Sequence, residues 1–600
     1  MFFKDNNTVT PNVYWAALLV IAALMTIKFF PGLENEVVYA GNSFQTIFPN
    51  SFFGDPSLDP AAPITAKPLR LSLFYVFPKL TGAIWLNDFF LGFFYFGMVA
   101  IGLLGVDRIA RTLGLENTFD RLIVLLFFAK DHQLLTGKVL LAHHQDVNPS
   151  ALAIPVIIWL IYFALARKSL LVLIAVSALL VGVSPRAALF PVALAMAAKF
   201  ATADRNERVM IAVLVLAGLA LMYAFLFHVY PVSDADRLKM WDVLLRIEGN
   251  DANAFYPDSL GPLWLRHIIW LTIVGAAFWL RGPGHKADIG LKTMMAIGAA
   301  IWLSHGLYLN MAPDFLKAPL LISTVPARSL SVIQNIAYIA ILTACLSSLR
   351  ANPTPRVLVQ TLAILVVLYV IGPGHKLMWT GLILACLIFV AATLWWRSGE
   401  RPLRLWTERV WQPLLLLSFL LATGIAYTHA AYKNHAAWRS AWTVGVYGNS
   451  SSAKWVGIDS YFRNETDPKS SVLAYSCINK QGRCARLVAQ RSLATRSGRA
   501  MAVPDVVGVG FNSVATWEKL AATREILEII GVELVAGNGT VLGERLQQLT
   551  PIPSHIVLPR DLSVIDIIEQ KAPLKRLRDF KNYVVFKRTV GDHTIPAPSQ

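Results

Sequence analysis

Apolar runs close to the length of a bilayer-spanning helix recur along the first 430 residues, separated by short polar connections. In order they predict thirteen spans, near 13–30, 83–106, 118–130, 150–166, 169–184, 187–200, 209–230, 263–280, 290–308, 328–348, 356–371, 377–396 and 411–430. A perpendicular helix needs roughly 20 apolar residues, so the short runs at 118–130 and 169–184 read as tilted or as beginning earlier. The run Val13–Phe30 is longer than a signal-peptide core and no small-residue cleavage site follows it, which makes it a retained first span. Leu69–Leu80, interrupted by Pro78, is too short to cross and reads as an interfacial helix.

The connections alternate in charge. One set carries Arg108, Arg111, Arg121, Arg167, Lys168, Lys199, Arg205, Arg208, Arg281, Lys286, Lys292, Arg350 and Arg397. The other is longer and acidic, with Glu34, Glu36, Asp55, Asp59, Asp131, Asp146, Asp234, Asp236, Asp242 and Asp314. Basic connections face the cytoplasm. The N-terminus is therefore expected inside, with outer loops at 31–82, 131–149 and 231–262. An odd number of spans places residues 431–600 outside.

Those last residues change character. Short β-rich runs alternate with helical patterns: Ser471–Tyr475 and Tyr583–Lys587 read as strands, and Thr516–Ile530 as an amphipathic helix. Gly531 is expected to stop that helix before a strand at Val532–Ala536. The expected architecture is an α-helical polytopic membrane domain (1–430) carrying a C-terminal extracytoplasmic α/β domain (431–600).

Composition agrees with the pattern. Hydrophobic residues make up 55% of the 600 and charged residues only 15%, against roughly 25% charged in soluble chains; mean hydropathy is +0.52. Disorder, a disulfide-rich secreted fold and a soluble enzyme are excluded. The net charge of +17 follows from the basic connections, and no aromatic-basic patch points to nucleic acid. Cys345 and Cys386 lie in apolar runs and read as packing residues. Cys477 and Cys484 sit close together in the outer part, where a disulfide can form.

Chemistry is expected where polar groups meet the outer membrane face. The first outer loop carries Glu36 and Asp55, carboxylates able to take a proton from a hydroxyl or ligate a cation, or simply to be solvated. The second reads LLTGKVLLAHHQDVNPS. His143, His144 and Asp146 offer a base or metal ligands, but adjacent histidines on a helix point about 100° apart and do not easily share one metal. Arg186 lies in the short turn VGVSPRAALFP and Arg328 in STVPARSLSVIQN. Guanidinium groups there suit a lipid phosphate or diphosphate through bidentate bonds, or snorkel to headgroups. Lys376, in IGPGHK, is a further cation of this kind. A surface helix is expected at Met240–Arg246, and His228 and His305, in the late parts of their spans, are the nearest thing to intramembrane polar sites. No phosphate-binding loop, dinucleotide fingerprint, nucleophile elbow or calcium loop occurs.

An acidic residue soon after the first span, a polar second outer loop, arginines on short outer turns and a C-terminal outer α/β domain occur together in one superfamily. The chain resembles the GT-C membrane glycosyltransferases over its whole length, in a bacterial form. The segment Trp455–Asp459 through Val472–Leu473 is also similar to the opening of their outer domains. The family's first-loop motif is Asp-Glu or Asp-Asp; the matching place here holds Asn35-Glu36, one carboxylate instead of two.

The resemblance implies a bacterial inner-membrane enzyme with a periplasmic C-terminal domain. It would move a sugar from a polyprenyl-phosphate donor to a saccharide, lipid or protein acceptor, with inversion. By the same resemblance Glu36 is the base, Asp146 a second acid, and Arg186 and Arg328 hold the donor phosphate. Asp55, His144 and Lys376 join them in binding substrate, and a divalent cation (Mg or Mn) stays open. Two other readings compete: a flippase for a lipid-linked saccharide, disfavoured because thirteen spans do not divide into equal halves, and a degenerate scaffold subunit.

Overall fold

A computed structural model of the chain describes residues 3–4, 8–9, 11–26, 79–80, 87–129, 149–183, 185–224, 235–241 in part, 262–280, 286–318, 327–351, 457–475, 499–502, 525–549 in part, 552–560 and 574–589, with isolated positions between them. They fall into two compact units. The first comprises Met1–Phe29 with Gly92–Tyr432, and the second Phe30–Leu91 with Lys433–Gln600.

The first unit is helical. Its helices are α1 (Pro11–Thr26), α2 (Asn87–Thr112), α3 (Thr118–Ala129), α4 (Pro149–Leu165) and α5 (Leu170–Val183). They continue with α6 (Pro185–Thr202), α7 (Arg205–Ala224), α8 (Pro262–Leu280), α9 (Lys286–Met311) and α10 (Ala327–Ala351). Each coincides with one of the apolar runs; the runs at 356–371, 377–396 and 411–430 lie outside the described residues. Among the described residues only Phe93–Thr112 is both long and apolar enough to cross a membrane by those measures, and six shorter apolar helices stand beside it.

Close approach through glycines sets the packing. A Cβ at Gly105 of α2 would sit 2.6 Å from Ile158 Cγ2 of α4, and Trp159 Nε1 donates to the Ile101 carbonyl at 3.1 Å. A Cβ at Gly298 of α9 would sit 2.3 Å from Ile333 Cγ2 of α10. Gly290 of α9 lies against Ala198 of α6 and Leu165 of α4.

Ion pairs mark one end of this bundle. Arg121 Nε bonds Asp107 Oδ1 at 2.7 Å, joining the start of α3 to the end of α2, and its guanidinium lies 5.8 Å from the Tyr14 ring of α1. Arg350, at the end of α10, pairs with the buried Asp120 of α3. Arg167 Nη2 donates to the Thr202 carbonyl at 3.2 Å, and Lys199 pairs with Glu207 at 3.0 Å. The ends of α2, α4, α6 and α10 and the starts of α1, α3, α7 and α9 therefore share this basic end, and α9 runs antiparallel to both α6 and α10.

Many apolar side chains face outward. On α7, Val209, Met210, Val213, Leu216, Leu219 and Leu221 are all more than half exposed, and Leu171 of α5 and Trp279 of α8 are more than three quarters exposed. A helix that is apolar all round yet uncovered is out of place in water.

The second unit holds a five-stranded sheet: β3 (Ser471–Ala474), β4 (Ala500–Met501), β5 (His555–Pro559), β6 (Leu574–Asp579) and β7 (Tyr583–Arg588), in the order β4-β3-β5-β7-β6. A separate pairing of β1 (Phe3–Lys4) with β2 (Thr8–Val9) belongs to the first unit. β3 pairs parallel with β4 and β5, while β7 pairs antiparallel with β5 and β6. One sheet face carries Leu473, Ile556, Leu558, Val584 and Phe586, packed with Leu527, Ile530, Leu542 and Leu546 from the helices that follow in sequence, α12 (Gly539–Gln547) among them. Against the other face lies α11 (Ile458–Glu465), whose Phe462 meets the His555 ring edge-on at 5.4 Å. Arg499 donates to the carbonyls of Arg463 and Thr466 and so caps the end of α11.

One sequence expectation is corrected. Gly531 does not stop the helix: residues 529–533 are helical, and Ala536 is helical rather than extended. Gly531 is buried beside Ile530, on the face that also buries Leu527. Its small size fits a packed surface, and that packing outweighs the strand preference of the Val-rich run.

His555 gives this unit a pH dependence. It is buried, and burial, with the charges of Lys587 and Arg499, pushes its pKa down to about 4. The unfolded chain takes up that proton near pH 6.5. Between the two values the unfolded state binds more protons, so stability is present above about pH 6.5 and is lost as pH falls toward 4. Urea unfolding of the full chain at pH 7 and pH 4 is expected to show this unit weaker at the lower pH by on the order of 2–3 kcal/mol. His555→Asn should flatten most of that slope.

Candidate functional site

The end of the first unit opposite the ion pairs holds two features. The first is a shallow apolar groove, lined by Met25 at the end of α1, Tyr95 and Met98 of α2, Phe128 at the end of α3, and Pro155 and Ile158 of α4. The glycine contacts of α2 draw α4 in below it. Pro155 lies inside α4 and lacks an N–H, which removes one helical hydrogen bond near the groove. Met25 and Met98 add unbranched, adaptable walls. The end of α3 and the start of α4 both lie at this end; the sequence between them, 130–148, carries His143, His144 and Asp146 and lies outside the described residues.

The second feature is a pair of helix starts. Arg186 is the second residue of α6, after Pro185, and Arg328 is the second residue of α10, after Ala327. Proline at the first helical position suits a helix start, because its missing N–H would have no intrahelical partner there. Both starts lie at the groove end, since α6 and α10 each run from there toward the basic end. The first backbone N–H groups of a helix have no partner within it and carry a partial positive charge. Two arginines and two helix starts at one end therefore form a region suited to an anion.

Above α9 the chain folds back on itself. Tyr308 Oη donates to the Leu316 carbonyl at 2.8 Å and accepts from the Ala318 N–H at 2.9 Å. Trp241 is buried edge-on against Tyr308 at 5.3 Å, and Arg237 Nη1 donates to the Phe315 carbonyl at 3.1 Å. The surface helix expected at Met240–Arg246 thus starts earlier: Ala235, Arg237–Lys239 and Trp241 are helical, and Trp241 points into the protein.

Of the sequence-derived site residues, Arg186 and Arg328 are placed by their backbone at this end. Glu36, Asp55, His144, Asp146 and Lys376 lie outside the described residues, as do Cys477 and Cys484. Cys345 is buried in α10, in keeping with a packing role. Among the described residues no three His, Cys, Asp or Glu side chains form a metal-binding cluster. The groove was not legible in the sequence, because Met25, Met98 and Ile158 look there like any other core positions.

No protein family's profile matches the chain, and no curated protein does. Among solved structures, the cryo-EM structure of the arabinofuranosyltransferase AftD from mycobacteria is similar at 12% identity with a TM-score of 0.44. The alignment covers 99% of this chain and 41% of that one, so the chain spans about two fifths of that protein's length.

Proposed function

We propose that this chain is an integral-membrane glycosyltransferase of the GT-C type, which moves a sugar from a polyprenyl-phosphate donor to an acceptor. The observation that most supports the reading is that an apolar groove and two arginine-bearing helix starts lie at the same end of the bundle. Such a donor combines an isoprenoid chain with a phosphate, and each feature suits one part of it. The outward apolar side chains of α5, α7 and α8 support a membrane location, since only a lipid surrounding covers them without cost. With the basic end cytoplasmic, the groove end faces outward.

The reaction is a single displacement. The acceptor oxygen attacks the anomeric carbon as the bond from that carbon to the phosphate oxygen breaks. Glu36, ten residues beyond the end of α1, takes the acceptor's hydroxyl proton. The leaving polyprenyl phosphate keeps the electron pair, and Arg186 and Arg328 neutralise its growing charge.

The test uses the purified full chain in proteoliposomes with a panel of polyprenyl-phosphate pentoses and hexoses. Release of free polyprenyl phosphate together with a glycosylated acceptor is the expected result. Passage of an intact sugar-lipid across the bilayer would instead establish a flippase, and neither activity would leave the scaffold.

A further inference from the structure

Among the described residues, two buried side chains of the first unit, Gln334 of α10 and His305 of α9, have no hydrogen-bond partner for either polar atom, and of the two His305 lies nearer the groove end. Only 5% of His305 is exposed, and neither ring nitrogen has a hydrogen-bond partner among the described residues. Buried polar groups nearly always have partners, so an imidazole in this state points to a missing one. A neutral imidazole carries one N–H donor and one acceptor nitrogen.

Its position says where that partner belongs. Gly298 touches Ile333 of α10, and His305 is two helical turns farther along α9, about 20° from the same face. The rise from Gly298 to His305 is about 10.5 Å, and from Ile333 back to Ala327 about 9 Å. His305 therefore stands level with the first turn of antiparallel α10, which carries Arg328. On the α6 side, Gly290 touches Ala198. The rise from Gly290 to His305 is about 22.5 Å and from Ala198 back to Pro185 about 19.5 Å, so the first turn of α6, with Arg186, lies at nearly the same height. The helices α6, α9 and α10 pack on one another in all three pairs. A buried imidazole without a partner thus lies at about the height of the first turns of α6 and α10, two helices that both pack on α9.

We propose that His305 and the first turns of α6 and α10 form one anion pocket, in which His305 donates its ring N–H to an oxygen of a phosphate group. That the phosphate is the donor lipid's rests on the glycosyltransferase reading above; the pocket itself rests on the geometry. His305 transfers no proton: it holds the phosphate from below, and the unpaired backbone N–H groups of the two helix starts complete the pocket. The acid–base step stays with Glu36.

The test is equilibrium binding of decaprenyl phosphate, and separately of inorganic phosphate, to the purified full chain in detergent. The wild type is expected to bind decaprenyl phosphate. His305→Ala should weaken that binding about tenfold without lowering the unfolding midpoint of the ligand-free protein. His305→Gln, which restores an N–H of similar reach, should recover most of the loss and decides the matter if the alanine variant does not fold. Unchanged binding in both variants overturns the pocket but leaves the donor reading standing, and weakening that comes with a lowered midpoint overturns it as a merely structural effect. If the wild type binds inorganic phosphate through His305 but not decaprenyl phosphate, the pocket stands and the donor reading falls. If it binds neither, both fall.

Discussion

Glu36→Gln is expected to lower the rate of sugar transfer by about 10²–10⁴-fold, the usual contribution of a positioned general base. Glutamine keeps the shape and the hydrogen-bonding reach of glutamate but does not accept the acceptor's proton at neutral pH. Binding of the donor should change little, because its phosphate is held by Arg186 and Arg328. The loss should therefore fall on kcat with KM nearly constant, the mark of an interaction made only in the transition state. The measurement is initial-rate kinetics on the proteoliposome reaction, wild type against variant. A variant as fast as the wild type would remove Glu36 from the chemistry and return attention to Asp146. The motif position holds Asn35-Glu36, one carboxylate where the resemblance would supply two, and a rate that falls less than tenfold would point to Glu34, two residues earlier, as a substitute.

Arg350→Met is the second large effect. It is expected to destabilise the first unit by about 3–5 kcal/mol, the cost of leaving a buried charge unpaired. The pair is lopsided: the Asp120 side chain is 1% exposed and that of Arg350 32%. Taking away the arginine strands a carboxylate that water cannot reach. Taking away the acid leaves a guanidinium that can turn outward on its long stem. Asp120→Asn should therefore cost clearly less than Arg350→Met. The charge-free double variant Asp120→Asn/Arg350→Met should recover part of the loss, since removing both charges avoids the unpaired one. Unfolding midpoints of the four proteins in one detergent provide the check. A double variant no better than Arg350→Met would mean that the aspartate has other buried obligations.

Helix by helix, the first unit was legible from its residues. The apolar runs mark α1 to α10, and the basic connections identify one end of the bundle correctly, because Arg121, Arg167, Lys199 and Arg350 all gather there. The candidate site was legible only in part. Arg186 and Arg328 stand out as cations on short proline-marked turns, and His305 as a polar residue late in a span, but nothing in their sequence positions relates them to one another.

The amino-acid order by itself determined what is local: which segments form helices, where proline starts them, and which short β-rich runs form strands. Helix periodicity is a property of adjacent residues, so it can be read without knowing what packs on what. The tertiary structure decided the rest. It continued the helix through Gly531, because buried neighbours favoured a small residue there. It also chose which turns of α6, α9 and α10 lie level with one another, through single contacts such as Gly298 with Ile333. Interhelical register depends on side chains far apart in sequence, and a pocket made by three helices exists only once that register is fixed.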